Sequence, residues 1–224
     1  MMIKFTNVPD TTEAEPTPAA NLLAALNDDM AHVIDGVRAS LVRVNYGQGH
    51  GAGTIWHADG LIVTNAHVVG SLDAVRGGPR RGAGRYGQPA GQPSITVTLA
   101  DGRAMPAKLL AMDAERDIAA LSIDAHDLPT AQIGDSRKLA PGEWVFAVGH
   151  PWGVIGAASG GVVIGAGADL PEITRGKDWI VINLKVRPGN SGGPLVDAKG
   201  RLVGINTLLT GPQVGAAVPT HAIT

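Results

Sequence analysis

Ser191 stands in the run Gly189-Asn190-Ser191-Gly192-Gly193-Pro194, with glycines on both sides. Such a turn folds tightly and lets another backbone come close. A serine hydroxyl is a weak nucleophile until a neighbouring base takes its proton. An imidazole for that purpose is present in Thr64-Asn65-Ala66-His67-Val68-Val69, and a carboxylate to orient it in Arg116-Asp117-Ile118-Ala119-Ala120-Leu121. In these roles Ser191 attacks an acyl carbon, and His67 serves as general base and then as general acid. Asp117 fixes the imidazole tautomer and stabilises the imidazolium. The turn Gly189-Asn190-Ser191 is read as an oxyanion hole, with the N–H groups of Gly189 and Ser191 facing the developing charge. Each residue also has a plain structural reading. Serines are common in turns, histidines at the ends of apolar strands, and aspartates at strand starts, where Asp113, Glu115 and Asp124 are rivals on position alone. Asp117 is preferred because an alternating apolar run follows it at once. His150, in Gly149-His150-Pro151-Trp152-Gly153, is read as structural.

Residues so far apart in sequence need a scaffold that folds them together. The chain has 224 residues, 44% of them hydrophobic but only 4% aromatic, so aliphatic side chains must fill its core. Its 31 glycines favour many tight turns and short strands over long helices. Apolar residues at spacings of three and four from Leu22 to Val37 predict a helix over 19–37, with a break near Gly36. Strands are expected at 41–46, 51–56, 61–64, 94–99, 103–112 and 117–123. A second set is expected at 143–149, 158–165, 179–184, 194–196, 202–206 and 214–218, with a hairpin turn at Lys199-Gly200. The fold class is therefore all-β: two six-stranded antiparallel barrels with an N-terminal helix. Its divisions are a flexible leader at 1–18, the helix at 19–37, a first barrel at 38–128, a crossing segment at 129–142 and a second barrel at 143–224. His67 and Asp117 fall in the first barrel and Ser191 in the second, which puts the site in the cleft between them.

Other features narrow the function. The chain has no cysteine, so neither a thiol nucleophile nor a thiolate metal site is available. The expected chemistry calls for no metal and no cofactor. A formal net charge of -2 gives no reason to expect nucleic acid as partner. No apolar run is long enough to span a bilayer. No export signal is read near the N-terminus, which leaves the cytoplasm as the default location. Residues 72–93 carry Arg76, Arg80, Arg81 and Arg85 among glycines and prolines, with Asp73 the one acid. The segment reads as a solvated loop or as a basic flap beside the site.

The order His67, Asp117, Ser191 is that of chymotrypsin-type enzymes and differs from the order in subtilisins and α/β-hydrolases. More narrowly, the chain resembles the HtrA/Deg family of serine proteases. The resemblance is carried by Gly51-Ala52-Gly53-Thr54-Ile55, residues 61–69, Val97-Thr98-Leu99-Ala100-Asp101-Gly102 and the Asp117 motif. It continues through Ala131-Gln132-Ile133-Gly134-Asp135-Ser136, Val148-Gly149-His150-Pro151-Trp152-Gly153, residues 188–195 and Gly204-Ile205-Asn206-Thr207. It implies a protease domain that cuts unfolded or exposed polypeptide. It also implies that Thr207 helps hold Asp117, and that Thr207, Leu208 and Leu209 form one wall of the specificity pocket, with Lys185 near its base. Such a wall suits a small or medium apolar side chain before the cleaved bond. The family further implies homo-trimers built through N-terminal segments, a C-terminal peptide-binding PDZ domain and an export signal or anchor; neither of the last two is read in this sequence. A chaperone-like holdase, a protease in a resting state and a serine esterase are the alternatives for the same cleft.

Overall fold

In strand β1 (Leu41–Tyr46), Leu41, Val42 and Val44 are buried and Arg43 is exposed. This is the alternation of a strand with one face on a core and one face outward. β4 (Ile95–Thr98) and β6 (Ile118–Ile123) alternate likewise, whereas β2 (Gly49–His57) and β3 (Leu61–Thr64) are buried along most of their length and β5 (Ala104–Asp113) is largely exposed. These strands close in the order β1-β2-β3-β6-β5-β4. The second set is β7 (Trp144–Gly149), β8 (Ala157–Gly167), β9 (Trp179–Ile182), β10 (Pro194–Asp197), β11 (Leu202–Thr207) and β12 (Gly215–Pro219). It closes as β10-β11-β12-β9-β8-β7. Closure leaves neither sheet an open edge. The expected double barrel is thus the observed one. Its description comes from a computed structural model covering residues 18–47, 49–70, 94–167, 178–207 and 214–223. Nearly all of the expected leader, and the whole of segment 72–93, lie outside the described residues.

Each barrel has its own aliphatic core. The first is built from Val42, Val44, Ile55, Ile62, Val97, Leu121 and their neighbours. The second centres on Val145, Ile180, Ile182, Leu195 and Val203. Fully burying one such side chain stabilises the fold by about 1.5–3 kcal/mol. A third cluster crosses the seam: Leu41 and Ala52 of the first barrel pack on Phe146, Val148 and Val196 of the second. The crossing segment is sewn to the second barrel, because Ile133 bridges Leu202 in parallel and Leu202 donates its N–H to the Gln132 carbonyl at 2.7 Å.

Helix α1 (Pro18–Arg38) runs straight through Gly36, so the expected break is absent. One glycine costs a helix interior only about 1 kcal/mol, too little to stop a helix tied down at its end. Ile34 and Val37 are buried there in the seam cluster, and Arg38 donates from Nε to the Gly156 carbonyl at 2.8 Å. The apolar stripe is packed only over that end. Leu22, Leu23 and Leu26 are 71%, 61% and 51% exposed.

Candidate active site

The pairing of β3 with β6 sets Thr64 opposite Ala119. The chain leaving β3 therefore lies beside the chain entering β6, and the two segments carry His67 and Asp117. Asp117 is a turn residue one place before β6, with φ 59. A left-handed conformation is uncommon outside glycine, and strain of that kind is held in place by surrounding contacts. Three of those contacts reach the carboxylate. The His67 backbone N–H donates to Oδ1 at 3.0 Å, His67 Nδ1 lies 2.7 Å from Oδ2, and Thr207 Oγ1 donates to Oδ2 at 2.6 Å. A carboxylate only accepts, so the proton of that imidazole sits on Nδ1 and Nε2 presents a lone pair. Asn65 adds a fourth tie, donating from Nδ2 to the Asp117 carbonyl at 2.9 Å. His67 itself rides on a one-turn helix, α2 (Ala66–Val69), rather than on the end of a strand. Four residues are too few to show a helical period.

Ser191 comes from the other barrel. Its carbonyl accepts the Ala52 N–H of β2 at 2.8 Å. Gly192 donates to the Asn206 carbonyl at 2.9 Å, and Asn206 donates back to Gly193 at 2.9 Å. The serine turn is thus held between β2 on one side and β11 on the other. Gly51 shows how near it comes to α2: a Cβ there would meet Val68 methyls at 2.7 and 2.8 Å and the Ser191 carbonyl at 3.0 Å. Gly192 has φ 85, and a Cβ on it would collide with the Ala52 carbonyl and the Thr64 hydroxyl. The Ser191 hydroxyl is buried and, among the described residues, bonds to no protein group.

The oxyanion reading resolves residue by residue. The Asn190 N–H donates to the Arg187 carbonyl at 2.9 Å, so it is engaged inside the turn and Asn190 supplies no backbone donor to the site. Among the described residues, the N–H groups of Gly189 and Ser191 donate to no protein acceptor. Gly189 has φ 99, and its carbonyl accepts the His150 N–H at 2.9 Å. Thr207 meets Asp117 as expected, whereas Leu208 and Leu209 lie outside the described residues. Lys185 is exposed, which does not fit a place at the base of an enclosed pocket.

The profile of the trypsin-like peptidase domain matches residues 51–205. The chain belongs to the HtrA/Deg family of trypsin-like serine proteases. It is 38% identical over 160 residues to the "Probable periplasmic serine endoprotease DegP-like" of Pseudomonas putida, an alignment covering 71% of this chain and 29% of that one. It is 35% identical over 186 residues to "Protease Do-like 1, chloroplastic" of Arabidopsis thaliana, covering 79% of this chain and 38% of that one. Among solved structures it is similar to "HtrA-type protease AlgW with tripeptide", with TM-score 0.71 and 30% identity, over 86% of this chain and 60% of the other. The chain therefore spans well under half the length of these two curated relatives.

In this HtrA-type domain, sequence reasoning missed the contacts that brace the serine turn. The Arg187 guanidinium lies 4.5 Å over the Trp152 ring. Trp152 has φ 53 in the 3₁₀ turn Pro151–Gly153. With the His150–Gly189 hydrogen bond, this stacking pins the segment after β7 to the segment before Ser191. An aromatic and an arginine 35 positions apart carry no local signal of such a pairing.

Proposed function

We propose that this domain is a serine endopeptidase that cuts unfolded or exposed polypeptide segments through His67, Asp117 and Ser191. The observation that carries the proposal is the Asp117 carboxylate, which takes hydrogen bonds from both His67 Nδ1 and Thr207 and so leaves His67 Nε2 as the free base. In the first step Nε2 removes the Ser191 proton and Oγ bonds to the substrate carbonyl carbon. The N–H groups of Gly189 and Ser191 hold the oxyanion, each donor being worth on the order of 3 kcal/mol in barrier. Collapse breaks the C–N bond, the amine takes its proton from the imidazolium, and an acyl-enzyme remains. Water then attacks with His67 again as base, releasing the acid and free Ser191. For the residue before the cleaved bond we favour a small or medium apolar side chain, supported by the neutral Thr207-Leu208-Leu209 run.

A resting form of the same protease is the second reading. It is favoured by the unpartnered Ser191 hydroxyl, which makes no hydrogen bond to His67. In such sites the bond between nucleophile and base commonly tightens only when substrate binds. A fluorophosphonate probe separates these cases when used with casein degradation. Immediate labelling that vanishes in Ser191→Ala supports the active enzyme, and labelling that grows after unfolded protein is added supports the resting form. Suppression of aggregation without labelling or cleavage would instead make the domain a holdase.

A further inference from the structure

A cavity of about 250 Å³ opens beside the serine turn, lined by Arg43, Asn45, His50, His150 and Ile155 with neighbouring glycines. The register of β1 on β2 explains the grouping. Asn45 lies opposite His50 and Arg43 opposite Ala52, so Arg43, Asn45, His50 and Ala52 share one face of the pair. Ala52 is the residue whose N–H holds the Ser191 carbonyl, which puts the cavity one strand pair away from the nucleophile. The opposite wall is His150, whose N–H holds the Gly189 carbonyl.

The lining is rich in donors and poor in acceptors. Among the described residues no Asp or Glu lines it and Arg43 pairs with no carboxylate. His150 is 5% exposed. Its Nδ1 accepts the Gly156 N–H at 3.2 Å, so the ring proton is on Nε2, which is turned toward the Val42 backbone and, among the described residues, makes no well-aligned hydrogen bond. The Arg43 guanidinium, the His50 imidazole and the Asn45 amide suit a carboxylate, with His150 as a wall of the cavity. The cavity has room for an Asp or Glu side chain with water to spare, at about 30 Å³ per water.

The serine turn separates this cavity from β11, the side expected to receive the residue before the cleaved bond. We infer that the Arg43–His50–His150 cavity is a subsite for an acidic side chain on the leaving half of the substrate, so that peptides with Asp or Glu shortly after the cleaved bond are preferred. The inference rests on the endopeptidase reading only for the direction in which the substrate lies.

The test uses internally quenched peptides with amidated ends and one shared apolar residue before the cleaved bond. Asp, Glu, Ala or Lys is placed at the first, second or third position after that bond. At one position the acids should raise kcat/KM about tenfold over Ala, the effect of one charge-assisted contact. Lys should lower it. The acid-to-alanine ratio should approach one in Arg43→Ala and turn toward Lys in Arg43→Glu. Equal rates for all four residues at all three positions would overturn the subsite and leave the protease standing. A gain confined to peptides with a free C-terminal carboxylate would overturn the side-chain assignment. Fluorescence anisotropy of the same peptides on Ser191→Ala gives a readout free of turnover. Tighter binding of the acidic peptide that depends on Arg43 supports the subsite even if the native protein cleaves nothing, and equal affinities count against it.

Discussion

Asp117 concentrates the site's chemistry in one carboxylate whose acceptors are engaged before any substrate arrives. Thr207 is the contact to remove first, because it touches the acid and not the base. Thr207→Val keeps the shape and deletes one charge-assisted bond, so kcat should fall about tenfold with KM little changed. Unchanged kcat would mean that Thr207 merely fills space. His150 sets a different residue-scale expectation. Burial, helped by the nearby charge of Arg43, holds its imidazole below the ordinary 6.5, with the Val42 backbone acting the other way. The unfolded chain therefore binds a proton near that pH which the folded chain refuses. The stabilisation is complete above about pH 6.5 and is lost as pH falls from there toward the lower folded-state value. Urea midpoints between pH 7.5 and 5 should fall more steeply for the native protein than for His150→Asn. Parallel curves would show that His150 titrates as a free imidazole does.

At the scale of elements, the serine turn works as a splint between β2 and β11. Gly192 is its tightest point. Gly192→Ala should cost at least about 2 kcal/mol, since it adds a left-handed alanine to a collision with backbone. Chemical denaturation measures this directly, and a loss under 0.5 kcal/mol would show that the turn yields. The strands around the splint were legible in the sequence because β1 alternates and β3 is a short β-branched run, each bounded by turn residues. Their observed limits match the expected 41–46 and 61–64. Elements too short to repeat their own period were not legible. Helix α2 has four residues, and the turn of Asp117 was read as part of the strand that follows it. The Gly36 break failed for another reason: anchoring of Ile34 and Val37 outweighs a local propensity.

For the whole molecule, the double barrel was readable from spacing and composition because closure needs only enough short apolar strands in series. The grouping of His67, Asp117 and Thr207 was half-readable: motifs named the residues, while distances came only from the fold. The Arg43–His50–His150 cavity was not readable at all, since it depends on register across β1 and β2 and on a loop about a hundred residues later. The seam has a mechanical consequence. Acid and base belong to one barrel and the nucleophile to the other, joined by the Ala52–Ser191 bond and the Leu41–Phe146–Val196 cluster. Hydrolysis is then a gauge of how firmly the two halves grip each other. Mild urea should silence turnover while far-ultraviolet ellipticity still reports intact sheets, and loss of both at one concentration would mean that the halves melt as a single body. Any ligand, partner or stress that loosens this grip by a fraction of an ångström would act as a switch without touching a catalytic side chain.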